Sequence, residues 1–241
     1  MANVHLLLQG KGGIGKSFVA ITLAQYITCK RQKPQCIDTD GVNLTFHGFR
    51  ALNVEPVAIL NGNEIHISRF ESLIKQISLS GNEVIIDTGS NAFLPLSHHL
   101  IHNKIPMRLQ GMGHTCIVHT IIAGGQALFD TVNGFTQLIS QFKDNTQFVV
   151  WLNPYWGAVE QKGKTFEEMK AYKENKHRIS ALVYLPKLKE ETFGYDLTQM
   201  LKERLTFDEA IANPSRFIIT RQRLTMIRRQ LYEQIDKAVV V

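Results

Sequence analysis

The chain has 241 residues, 44% of them hydrophobic, enough to fill one α/β domain of ordinary size. Its formal net charge of +6 favours association with acidic partners but prescribes no fold. Cys29, Cys36 and Cys116 are dispersed and never arranged as CxxC, which argues against a disulfide framework or a thiolate metal site. No stretch approaches the roughly 20 apolar residues that cross a bilayer, and no basic-then-apolar leader opens the chain, so a cytoplasmic protein is expected.

Val4 to Gln9 reads as a buried strand, followed by the glycine-rich turn GKGGIGKS (Gly10 to Ser17) and a helix from Lys16 to about Cys29 carrying Val19, Ile21, Leu23 and Ile27. A second strand is predicted at PQCID (Pro34 to Asp38), a helix over Phe70 to Leu79, and a third strand at EVIID (Glu83 to Asp87). Thr115 to Ile122 reads as a further strand, Gly125 to Phe142 as a helix, Gln147 to Asn153 as a strand and Ile179 to Pro186 as another. The charged segment from Glu160 to Arg178 places Phe166, Met169 and Tyr172 at helical spacing, so a solvated helix is expected there rather than a linker. No linker divides the chain, and one domain over residues 1–241 is expected. Strands alternating with helices, without tight two-residue hairpins, imply parallel pairing: a doubly wound, mostly parallel α/β sheet with its ligand at the carboxyl ends of the strands.

GKGGIGKS satisfies GxxxxGK[ST] with a strand before it and a helix after it, the setting of a phosphate-binding P-loop. Its glycines let backbone N–H groups converge on phosphate oxygens at a helix N-terminus, Lys16 adds a point charge, and the Ser17 hydroxyl suits Mg²⁺. The binding set is therefore Gly10, Lys11, Gly12, Gly13, Ile14, Gly15, Lys16, Ser17 and Phe18. One lysine suffices for such a loop, so on spacing alone Lys11 is equally well an exposed loop charge.

KGGxGKS after an apolar strand resembles the deviant P-loop of the ParA/MinD superfamily of dimerising ATPases. The resemblance implies a P-loop fold of that type, with Lys11 as the lysine that reaches across a dimer to the partner's nucleotide. CIDTDGVN places Asp40 at the position of the aspartate that orients the attacking water, although Asp40-Gly41-Val42 departs from the usual Asp-Pro-Gln. An Asx turn closing the strand is the plainer alternative. Asp87, ending VIID, matches the aspartate that supports Mg²⁺ through bound water. Asn153, in VVWLNPYWG, matches the asparagine that reads adenine, and equally fits a strand-ending Asn-Pro turn. The segments EEMKAY, LKEETFGYDL, ERLTFDEA and TRQRL point to one branch of the superfamily, encoded in plasmid conjugation regions.

The resemblance thus implies a Mg²⁺-dependent ATPase of conjugal DNA transfer, slow without a partner. It would form a nucleotide-dependent homodimer and engage relaxosome or secretion-system components. Lys11, Lys16 and Asp40 would carry catalysis, Ser17 and Asp87 the metal. The alternatives are a nucleotide-gated binding module with negligible turnover, or a small-molecule kinase or ligase on the same fold.

The histidines of SHHLIH (His98, His99, His102) and GHTCIVH (His114, His119) lack a closed ligand set and read as surface or packed residues. Tyr155, Trp156, Lys162 and Lys164 lie close together and fit either a partner surface or, as is more usual, core aromatics flanked by a solvated loop. From about 216 to 237, Leu224, Ile227, Leu231 and Ile235 form an apolar helical stripe beside Arg216, Arg221, Arg223, Arg228 and Arg229. Packing on the sheet is expected, with DNA a possible ligand of the basic face and an anionic membrane surface a lesser one.

Overall fold

The computed structural model describes residues 2–142 and 146–238. In chain order its elements are β1 (Asn3–Leu7), α1 (Lys16–Cys29), β2 (Gln35–Asp38), β3 (Glu55–Pro56), β4 (Leu60–Asn61), β5 (Glu64–Ile65), α2 (Ile67–Ser78) and β6 (Val84–Asp87). Then come α3 (Phe93–His102), α4 (Ile105–Gly111), β7 (Thr115–Ala123), α5 (Leu128–Gln141), β8 (Thr146–Asn153), β9 (Glu160–Gln161) and β10 (Lys164–Thr165). The chain continues with α6 (Lys170–Asn175), β11 (Ile179–Tyr184), α7 (Tyr195–Lys202), α8 (Phe207–Ala212) and α9 (Ile218–Ala238). Seven strands form one sheet in the order β11-β8-β7-β1-β6-β2-β3, every pairing parallel.

Each central strand divides its apolar side chains between two layers. Leu7, Ile85, Ile117, Ile121 and Val149 pack under α1, α7, α8 and α9, whereas Val4, Leu6, Val84, Ile86 and Val118 pack under α2 to α5. Such two-sided burial explains the near-continuous apolar runs of these strands. Helix α1 is buried around most of its circumference, and Gln25 closes its contact with α8 by accepting the Phe207 N–H at 2.7 Å.

The predicted stripe of α9 holds: Leu224, Ile227, Leu231 and Ile235 are all buried. Four such side chains, at about 1.5–3 kcal/mol each, amount to much of a domain's net stability, so α9 is integral to the core. Much of the basic charge on and just before it is paired, partly by earlier helices and partly within α9 itself. Arg216 pairs with Glu203, Arg223 with Asp196, Arg228 with Asp208 and Arg229 with Glu233.

The segment from Glu160 to Arg178 is not one solvated helix. Lys162 and Gly163, both at positive φ, turn an antiparallel β9–β10 hairpin, and only Lys170–Asn175 is α-helical. Phe166 and Met169 are buried, so their spacing reflects two separate core contacts rather than one helix face. A second hairpin, β4–β5, turns at Gly62 (φ +60°). Two-residue hairpins therefore do occur, both outside the main sheet.

A polar chain crosses the middle of the sheet. The Trp151 indole N–H donates to His119 Nδ1 at 2.9 Å, which obliges His119 to carry its proton on Nε2 and donate it to His5 Nδ1, also 2.9 Å away. His5 Nε2–H then donates to Glu83 Oε2 at 2.9 Å. Burial holds the His119 imidazole well below its ordinary pKa, and His5 beside it adds to the effect. The chain ties β8, β7, β1 and the start of β6 together.

Candidate nucleotide site

The predicted site residues gather at the carboxyl edge of the sheet: Gly10 to Gly15 and Asp40 on loops, Lys16, Ser17 and Phe18 in the first turn of α1, and Asp87 and Asn153 at the ends of β6 and β8. Gln9 fastens the loop that follows β1. Its amide donates to Thr131 O at 3.1 Å and Ile121 O at 3.3 Å, while its Oε1 accepts the Gly10 N–H at 2.8 Å. Gly134 on α5 makes room, since a Cβ there would stand 2.3 Å from Gln9 Oε1. Gly13 and Gly15 occupy left-handed backbone at φ +73° and +100°, and Gly15 caps α1.

Lys16 is only 8% exposed, and its Nζ folds back to donate to the Lys11 carbonyl at 3.1 Å. Burial lowers its pKa, opposed by the charges of Asp87 and Asp40. Lys11 behaves differently. Its ammonium leaves the loop and meets Asp130 of α5 at 2.7 Å, with both side chains about half-exposed (45% and 51%). Phe18 is half-buried against the α1-side core.

Asp87 ends β6 fully inside the protein. Burial pushes its carboxyl up to about 7, with Asp38 adding to the rise, while a hydrogen bond with Ser17 and the charge of Lys16 oppose it. Its Oδ1 is buried without a hydrogen-bond partner. An unsatisfied carboxylate oxygen beside a serine hydroxyl and a buried ammonium fits a hard divalent cation such as Mg²⁺.

Of the two carboxylates of CIDTD, Asp38 points inward, where it accepts N–H groups from Asp40 (3.1 Å) and His47 (3.0 Å) and closes the following loop. Asp40 stands at the site: its Oδ1 accepts the N–H groups of Val42 (3.0 Å) and Asn43 (3.1 Å), forming the Asx turn weighed from sequence. Its charge reaches Lys16, and a Cβ on Gly89 would stand 2.9 Å from its Cγ.

Asn153, ending β8, donates from Nδ2 to the Ile14 carbonyl at 2.9 Å and accepts the Tyr155 N–H on Oδ1 at 3.0 Å. Both ends of its amide thus join the P-loop to the turn after β8. Tyr155 and Trp156 are not core aromatics; they are 68% and 59% exposed, with rings edge-to-face at 4.8 Å. No group of three metal-capable side chains exists among the described residues, and His99 stacks edge-on against Phe70. The sequence offered no signal for Gln9, Asp130 or the inward role of Asp38, since each depends on a partner distant in the chain.

The fold is that of the P-loop proteins of the ParA/MinD type, a parallel sheet with the glycine-rich loop after its central strand. Two solved structures share the fold, each at TM-score 0.52. MinD cell division protein of Aquifex aeolicus is 14% identical with 96% of this chain and 97% of that chain covered, and the MinC:MinD complex of Aquifex aeolicus is 15% identical with 93% and 96% covered. No known family profile matches the chain. Two curated proteins, each named Protein TraL, from Escherichia coli, are 54% identical to it over 241 residues, covering all of both chains. The chain belongs to the TraL family. No helix among its described residues is long and apolar enough to cross a membrane.

Proposed function

We propose that the chain is one Mg²⁺-dependent ATPase domain that serves as a nucleotide-gated dimeric switch in plasmid conjugal transfer, on conjugation machinery such as relaxosome or secretion-system components. One observation carries the nucleotide reading: the orphaned Asp87 Oδ1, buried beside Ser17 and Lys16 at the mouth of a glycine-turned loop. The loop N–H groups from Gly10 to Ser17 and the Lys16 ammonium would bind and orient the β- and γ-phosphates of ATP. Ser17 and Asp87 would hold Mg²⁺, which neutralises charge on the phosphate oxygens. Asn153 would border the base and keep the P-loop in register with it.

Lys11 supports the switch. Its ammonium is bonded to Asp130 outside its own loop, so an exchange of partners can hand it to the nucleotide of a second copy. Light scattering tests this. Wild type is expected to dimerise with Mg²⁺ and a slowly hydrolysed ATP analogue but not with ADP, and Lys11→Ala to stay monomeric while still binding nucleotide. A wild type monomeric with every nucleotide overturns the switch.

Asp40 favours a second possibility, a binding module in which ATP binding alone sets partner affinity. Its Oδ1 already accepts two backbone N–H groups, so orienting water requires the turn over Val42 and Asn43 to rearrange. Phosphate release with and without DNA separates turnover from gating. The paired arginines of α9 weaken the case for DNA there, and a membrane surface has less support still.

A further inference from the structure

Phe129, in the first turn of α5, is 67% exposed, and Tyr155 and Trp156 are almost equally open. All three follow strands β7 and β8 at the carboxyl edge of the sheet. Large exposed aromatics clustered beside a ligand loop mark an interaction surface more often than chance exposure does.

The backbone beneath them is built to hold still. A Cβ on Gly124 would stand 1.9 Å from the Gly157 carbonyl oxygen, and one on Gly125, at φ +64°, would stand 2.2 Å from the Trp156 carbonyl oxygen. Glycine alone permits the two loops to lie this close. Asn153 adds hydrogen bonds to Tyr155 on one side and to the P-loop on the other. Aromatic side chains on a fixed backbone lose little conformational entropy when covered, which is what an interface centre requires.

Charge indicates what covers them. Next to Phe129 lies Asp130, bonded to Lys11, so the patch carries one cation and one anion and no net charge of its own. A chain of net charge +6 therefore presents here a surface that does not select phosphodiester or another polyanion. Under a two-fold axis the same patch is self-complementary, because aromatics meet aromatics while each Lys11, once released from Asp130, can face the anionic nucleotide of the second copy. We propose that Phe129, Tyr155 and Trp156 form the apolar centre of an interface with a second copy of this chain, around the Lys11–Asp130 pair. The proposal rests on the dimeric-switch reading and names the contacts that would hold that dimer besides nucleotide.

The chain has two tryptophans, and Trp151 is fully buried, so iodide quenching of fluorescence reports Trp156 alone. Quenching is measured on the full chain with Mg²⁺ and either ADP or the slowly hydrolysed ATP analogue, across a dilution series, with light scattering in parallel. Trp156 is expected to stay open with ADP and to become protected with the analogue, in step with dimer formation at each concentration. Phe129→Ser is expected to weaken dimerisation at least about tenfold while leaving monomer affinity for a fluorescent ATP analogue within about twofold. A dimer in which Trp156 stays as quenchable as in the monomer, or a Phe129→Ser protein that dimerises as tightly as wild type, overturns the interface and leaves the switch standing. Protection of Trp156 that is independent of protein concentration overturns it as well, since the nucleotide itself would then be the cover. A wild type monomeric with every nucleotide overturns the interface and the switch together.

Discussion

Acidification tests the buried chain from Trp151 to Glu83. The Trp151 N–H fixes His119 as a neutral donor to His5, so a second proton on His119 has no acceptor inside the sheet. An unfolded histidine titrates near 6.5. With the folded pKa depressed, the stability from His119 is present above the unfolded value and is lost as pH falls below it. Between pH 7 and pH 5 one proton taken up only by the unfolded chain costs about 2 kcal/mol. Asp87 works the other way over this range: with its folded pKa raised to about 7, its contribution falls as pH rises. A raw pH profile therefore mixes the two, and a difference between proteins separates them. His119→Gln keeps one acceptor and one donor but cannot titrate. Urea unfolding of both proteins at pH 7 and pH 5 is expected to show wild type losing about 2 kcal/mol more than the variant on acidification. Equal losses would refute a neutral, proton-excluding His119.

Lys16→Ala is expected to fold and to lose at least about a hundredfold in ATP turnover, read by phosphate release, because a preorganised charge on the phosphates is removed. Asp87→Asn is expected to abolish the Mg²⁺-dependent part of nucleotide stabilisation. In wild type, stabilisation by Mg²⁺ alone, read by thermal shift, is expected to grow from pH 6 to pH 8 as the carboxyl ionises around pH 7. Gly124→Ala is expected to cost on the order of 2–3 kcal/mol in urea unfolding, since its Cβ meets backbone rather than a movable side chain.

The main sheet was legible because its inner strands are buried on both faces and announce themselves as near-continuous apolar runs. β1, β2, β6, β7, β8 and β11 stand within a few residues of expectation, and α1 spans Lys16–Cys29 as read. Edge strand β3 carries only Glu55 and Pro56, too short to show a period. Helices α3 and α4 hide in a stretch of histidines, prolines and mixed polarity. The hairpin within the segment from Glu160 to Arg178 was masked by chance helical spacing of residues that reach the core separately. At the site, the P-loop was legible because its chemistry is local. Asp38 and Asp40 are indistinguishable by type; the resemblance picks out Asp40, and the fold adds that Asp38 turns inward to hold the loop. For Tyr155 and Trp156 the sequence leaves core and surface both open, with the core favoured because aromatics are usually buried, and nothing local says that Gly124, Gly125 and Gly157 bring the two loops together beneath them.

Helix α1, which starts at the phosphate loop, shares its apolar cluster with α9, and Tyr26 donates to Asp236 across 210 residues of chain. Contacts of such long range make folding slow, because the intervening chain must be ordered before they form. They also set a timetable on the ribosome. Until residues 224 to 235 have emerged, the cluster that Val19, Leu23 and Ile27 join lacks Leu224, Ile227, Leu231 and Ile235. A chain broken upstream of α9 is therefore expected to leave apolar surface of α1 uncovered and to aggregate.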